Sequence, residues 1–305
     1  MITIKYSIHM ILLKDVYIGY LLKSVLAASL FIFLSCRNRD YITYYNEVNK
    51  IDSIYRFQKD TLTVIKKYRR LFRKYTPKNQ DRIKEFETYI ILADKYHKNF
   101  GGKKTLQKFT SVLAPSGKTY EKYLDIYSKY GIDSTTVKKE IADWKNNLNK
   151  KLVDSFSIAF MRDQQEGRSE KSTMIVNDKK NAELLKWTFE NYGFPSVNKI
   201  GLVGNNGVFM PMDNFLGHMI QSEYYSFFKD EVLKAVKSGD CPPRLYAILV
   251  DKYNFLIAKK EIPYGVYVGP DTVIDTIATD KNRKEIGLPS LNHSRLITKD
   301  FFKKK

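Results

Sequence analysis

The sequence predicts a mainly α-helical protein: an N-terminal helical region followed by an α-helical domain with a small β-hairpin near the C-terminus. Three observations predict it. Apolar residues recur three and four positions apart through most of the chain after residue 40, the spacing of one helix face. Gly and Pro fall between these stretches, where helices end. Only one segment, "YGVYVGPDTVIDTI" (264–277), alternates apolar and polar residues around a Gly-Pro-Asp turn, the pattern of a hairpin. Residues 1–35, 36–150 and 151–300 form the three organisational units that the sequence suggests.

The first unit is apolar and short. "SVLAASLFIFLS" (24–35) follows Lys23, with Lys5 and Lys14 upstream, the layout of a secretory signal peptide. It is shorter than the roughly 20 apolar residues of a bilayer span, although an uncleaved N-terminal anchor is the alternative. In 36–150, "YYNEVNKIDSIYRFQKDTLTVIKKYRRLF" places Tyr44, Val48, Ile51, Tyr55, Leu62, Ile65 and Leu71 on one helical stripe that runs to "TPKNQ" (76–80). "DRIKEFETYIILADKYHKNF" is a second amphipathic stretch, closed by "GGKK" (101–104), with further breaks at "APSG" (114–117) and "YGIDS" (130–134). These helices read as a spacer or scaffold that lifts the second half or packs on it.

A long helix is expected from about Thr135 through Arg168, leading into the third unit. "DKKNAELLKWTFENYGFP" and "EYYSFFKDEVLKAVKSGD" each end at a Gly, Gly193 and Gly239, with Pro195 and Pro242 beyond. "PPRLYAILVDKYNFLIAKK" opens on prolines suited to a first turn and is apolar almost all round. After the hairpin, "DKNRKEIG" is a short helix that stops at Gly287.

Charge narrows the function classes. The chain carries 52 Lys+Arg against 33 Asp+Glu, a formal +19, and removing Met1–Ser35 takes three Lys and one Asp with it, leaving +17. Such a surplus suits a solvated basic surface or anionic envelope polymers. No nucleic-acid motif accompanies it. With two cysteines, Cys36 and Cys241, a disulfide framework is excluded as the source of stability. No P-loop, GxGxxG, serine elbow or metal-ligand spacing is present, so neither a cofactor nor a metal is expected.

Candidate site residues are polar groups standing where the apolar stripe should continue. Val153, Phe156 and Phe160 point the stripe at Asp163 and Gln164, with Arg168 a turn later; His218 has apolar neighbours on both sides; Asp251 interrupts the most apolar helix. Burying a carboxylate is costly unless it is paired or protonated, so these groups are expected to meet one another. One outcome is a structural network with Arg168 or Arg283. Another is a pocket for a small polar ligand. A third is catalysis, with His218 and Asp163 or Asp251 as general acid–base groups. The same three side chains are conceivable metal ligands without the usual spacing, and Cys241 is a conceivable nucleophile beside His218.

Two resemblances add to this. "Leu34-Ser35-Cys36" resembles the lipobox of bacterial lipoproteins, which implies that Cys36 becomes the acylated N-terminus of a membrane-anchored envelope protein. Arg37 follows it in place of the Asp that resembles an inner-membrane retention signal, which points to the outer membrane of a Gram-negative bacterium. Further on, "RDQQEGR" (162–168), "NAELLKWTFENYGFPSVNKIG" (181–201), "GHMIQSEYYSFF" (217–228), "LVDK" (249–252), "YG" (264–265) and "NRKEIGLPSL" (282–291) resemble, in order, the uncharacterised bacterial family catalogued as domain of unknown function 6624. The likeness covers about 155–296. It implies recurring positions at Asp163, Gln164, Asn181, His218, Asp251, Tyr264, Gly265, Arg283 and Gly287. This chain departs from the family pattern at Gly217, where Gln is usual, and at Lys252, where Arg is usual.

The expectation is therefore an exported lipoprotein held to a membrane through Cys36 that binds a small polar ligand or envelope component. His218, Asp163 and Asp251 form the reactive set, and Gln164, Arg168, Asn181, Tyr264 and Arg283 the ligand contacts. A hydrolase-like enzyme and a purely structural envelope protein are the alternatives.

Overall fold

The computed structural model describes residues 40–78, 81–165, 170–269 and 274–303. The predicted signal peptide, Cys36, Arg168 and the Pro270-Asp271 turn lie outside them. Asp40–Lys305 forms one unit, and it is mainly helical, as the periodicity predicts.

Short polar side chains start the helices. Asp40 accepts from Ile42 N to open α1 (Tyr41–Ser53), and Asp60 accepts from Thr63 N to open α2 (Thr61–Lys74). The single stripe expected over 41–71 is broken between them. The chain widens into a π turn at Ile54–Gln58 and reverses at Lys59, whose φ is +55°. α3 (Glu85–Lys95) and α4 (Gly102–Leu113) follow, then a 3₁₀ stretch to Tyr123, α5 (Leu124–Lys129) and α6 (Ser134–Asn146). The long helix expected from Thr135 ends at Asn146. Asn149 starts a new one, α7 (Lys150–Asp163), by accepting from Leu152 N at 3.1 Å. Asparagine competes for backbone donors and so favours caps over helix interiors.

The second half holds α8 (Lys171–Tyr192), the single turn α9 (Val197–Ile200), α10 (Met212–His218), α11 (Tyr225–Ser238), α12 (Pro243–Tyr253), α13 (Thr276–Glu285) and α14 (Leu291–Lys303). α12 repeats the ending of α1, a π turn at Asn254–Ala258 and a left-handed lysine, Lys259. No strand is present among the described residues; an isolated antiparallel bridge joins Val203 and Phe209.

The expected hairpin at 264–277 is thereby corrected. Residues 263–267 are bends, and the N–H groups of Tyr264, Val266 and Tyr267 donate to Asp251 at 2.9, 2.6 and 3.3 Å. A carboxylate on α12 takes the donors that a ladder would have used, so alternation here reflects a loop wrapped on a buried acid.

The first helices pack against the last ones. Tyr41, Tyr44 and Tyr45 are buried in the common core, and a Cβ at Gly239, closing α11 at φ +80°, would stand 2.5 Å from the Tyr41 ring. Asn46 and Asn49 donate to the carbonyls of Lys284 and Gly287, both at 2.9 Å. Asp52 meets His293 at 2.7 Å, and Arg82 donates to Thr298 at 2.7 Å.

Candidate functional site

Asp163 is the last residue of α7, where the Phe156–Phe160 stripe delivers its side chain into the core with no exposure. Two asparagines of α8 fix that end of the helix. Asn181, fully buried, accepts from Arg162 Nη1 at 2.8 Å and reaches the Ala159 carbonyl at 3.5 Å; Asn177 donates to the Arg162 carbonyl at 3.2 Å. With the helix held, Asp163 divides its oxygens. Oδ2 accepts from Gln164 Nε2 at 2.7 Å, and Oδ1 meets His218 Nδ1 at 2.7 Å.

His218 ends α10. Its side chain is 31% exposed, against 0% for Asp163, and it lines a cavity of about 200 Å³ with Asp178, Gln221, Ser222 and Tyr224. An ionised carboxylate at this position only accepts, and a neutral imidazole facing it carries its proton on Nδ1 and leaves Nε2 as acceptor. Lys252 on α12 supplies positive charge nearby. Burial pushes its pKa down, while Asp178 and Asp163 draw it back up. Its Nζ lies 3.1 Å from where a Cβ at Gly217 would stand, so the lysine occupies space that a side chain at 217 would take.

Asp163, Asp178 and His218 each bring one ligand-type atom within 4.8 Å of the others. Two carboxylates and an imidazole are chemically suited to a divalent cation as well as to a ligand with hydrogen-bond donors. Asp178 was not among the residues expected from sequence. The signal that could have found it is spacing: it sits one turn before Asn181 on α8, on the same face.

The other expected residues assemble elsewhere. Asp251 is fully buried and serves the 263–267 loop. Desolvation pushes its pKa up, opposed by the three backbone N–H groups and by Arg283. Arg283 donates to the carbonyls of Tyr264 and Pro289, each at 2.6 Å, and to Ser294 Oγ; burial lowers its pKa to about 10, which leaves it charged at neutral pH. The Tyr264 ring packs 5.9 Å from Tyr246. Asp251, Tyr264 and Arg283 therefore form a second polar knot that shapes a loop, and they do not join Asp163 and His218. Cys241 is fully buried, and burial raises its thiol pKa well above the usual value, the opposite of an activated nucleophile.

No family model, curated protein or solved structure matches the chain.

Proposed function

We propose that the protein is an exported, lipid-anchored envelope protein that binds a small polar ligand at the Asp163–His218 pair. The observation that carries this reading is the asymmetry of the pair: a sealed carboxylate aims a part-exposed imidazole into a cavity that also holds Asp178. A small polar ligand with hydrogen-bond donors and acceptors suits that lining, because Asp178 and Glu223 share it with Lys179, and Lys252 adds a second positive charge close to Asp178. Lipid attachment at Cys36 rests on the lipobox-like sequence; among the described residues no helix is long and apolar enough to cross a membrane. Two acyl chains hold a protein firmly where one does so only marginally.

The test is a thermal-shift screen of small polar metabolites on the purified chain, repeated with His218→Ala. The variant is expected to lose the ligand-induced shift on top of a lower ligand-free melt, because buried Asp163 loses one partner while Gln164 still donates to it. Equal loss of melting temperature with and without ligand would assign His218 to the fold instead.

A second reading has its own observation. The 2.7 Å contact from buried Asp163 to Nδ1 is the orientation that makes a histidine a general base, which favours a hydrolase-like activity. Hydrolysis of ester or amide substrates that falls at least a hundredfold in both His218→Ala and Asp163→Asn would support it; turnover unchanged by either would dismiss it. The family resemblance supports the same positions. Two of the departures from its pattern, Gly217 and Lys252, face each other at the site.

A further inference from the structure

Two more openings lie away from the His218 cavity and share none of its lining residues. One is a cavity of about 100 Å³ lined by Arg82, Arg244 and Arg283 and by the acids Asp81 and Glu85, with Ser294. The other is an apolar cleft of about 960 Å³, lined among others by Met161, Phe209, Met212, Leu245 and Phe301, at the upper end of the range for ligand pockets. They adjoin. Pro242 lines both; the consecutive residues Arg244 and Leu245 face one each, as do Thr298 and Phe301, a turn apart on α14.

The three arginines are not equivalent. Arg283 is committed to two carbonyls and a hydroxyl. Arg82 gives one N–H to Thr298 and lies over the Phe301 ring, 5.8 Å from its centre, at the border of the cleft. Arg244 makes no hydrogen bond or ion pair among the described residues; Asp81 and Asp213 act on it only at a distance. Burial and the neighbouring Arg82 both lower the pKa of Arg244, and Asp81 and Asp213 offset them only in part, so an anion reaching both guanidinia would relieve the repulsion that remains. Of the two acids in this cavity, Glu85 has its pKa raised to about 7 by burial and accepts from the Tyr44 hydroxyl, and burial raises the pKa of Asp81 against the pull of Arg244 and Arg82. Along the cleft, Phe209 is 62% exposed and Met161 45%, so apolar surface faces water at its mouth.

We propose that Arg82 and Arg244 hold the head group of a single-chain anionic amphiphile, a long-chain carboxylate, whose hydrocarbon tail lies in the adjoining apolar cleft. Guanidinium–carboxylate pairing supplies charge-assisted hydrogen bonds, and each buried methylene adds roughly fourfold in affinity.

The experiment is calorimetric titration of the full chain with decanoate, decanol and acetate below micelle-forming concentrations. Decanoate is expected to bind at least about tenfold more tightly than decanol, and acetate not to saturate over the same range. Arg82→Gln and Arg244→Gln should bring decanoate down to the level of decanol without changing decanol binding, which also separates this site from adsorption to the apolar 24–35 segment. Phe209→Asp, at a position 62% exposed, should weaken both. Equal binding of acid and alcohol would overturn the proposal. So would unchanged decanoate affinity in Arg244→Gln, which has no protein hydrogen bond to lose, or in Phe209→Asp.

Discussion

Glu85 offers a quantitative test of how the first helices meet the rest. It begins α3, is 3% exposed, and accepts from the Tyr44 hydroxyl at 2.7 Å. Desolvation raises its pKa from 4.5 to about 7, with the Tyr44 bond pulling the other way. The folded-state pKa lies above the unfolded one, so the native state holds the proton more tightly. This stabilisation is fully present below about pH 4.5 and is lost as pH rises through about 7. At 1.36 kcal/mol per unit, the loss is about 3 kcal/mol. Glu85→Gln keeps an acceptor for Tyr44 and removes the titration. Urea unfolding followed by circular dichroism, at steps from pH 4.5 to 8, should show the variant equal to the parent at the acid end and about 3 kcal/mol more stable at the alkaline end. Groups that do not interact with Glu85 cancel in the difference. A difference that stays flat within 1 kcal/mol would refute the assignment.

Three further substitutions probe the frame. Gly239→Ala should cost about 2 kcal/mol or more, because a left-handed residue acquires a Cβ 2.5 Å from Tyr41; chemical unfolding checks it. His293→Ala, which strips one partner from buried Asp52, should cost about 3 kcal/mol and leave any ligand shift at His218 intact. Asp251→Asn replaces one acceptor oxygen with a donor facing backbone N–H groups and should cost about 2 kcal/mol, with faster proteolytic nicking in 263–267.

How much the sequence disclosed depended on what each pattern could distinguish. Helical spacing identified the helices but ran through the π turn at 54–58, because a stripe continues across such a turn until Lys59 reverses the chain. Asp163 and His218 were legible as interruptions: a polar residue in a core position must find a partner, and these two found each other. Asp251 was legible as buried and illegible in purpose, since its partners are backbone N–H groups with no residue-type signature. The same fact hid the loop, because alternation cannot separate a hairpin from a bend held by a carboxylate. Asp178 was hard to read for the opposite reason, its place one turn before Asn181 being the one sign of it. In "NDKKNAE" (177–183) it reads as one charge on a solvated face, and only the approach of α10 and α12 gives it neighbours.

Among the described residues two Asp–His contacts have equal length, and their difference carries the functional argument. Asp52 Oδ2 meets His293 Nε2 at 2.7 Å, and Arg56 donates to the same oxygen at 2.6 Å; both members of the pair are sealed, at 2% and 7% exposure. That arrangement joins α1 to α14, and it has no opening through which anything could arrive. Asp163 and His218 meet at the same 2.7 Å, but there the acid is sealed and the base is 31% exposed, beside a cavity with a second carboxylate. Structural cohesion explains the first pair completely. It does not explain why the second aims a fully desolvated carboxylate, which Gln164 also holds, at an imidazole left open to solvent, since a buried charge is costly unless its partners are well placed. A carboxylate that fixes the tautomer of a solvent-facing histidine is useful chiefly to something that binds there. Asp52→Asn is therefore expected to register in stability alone, and Asp163→Asn in ligand binding as well.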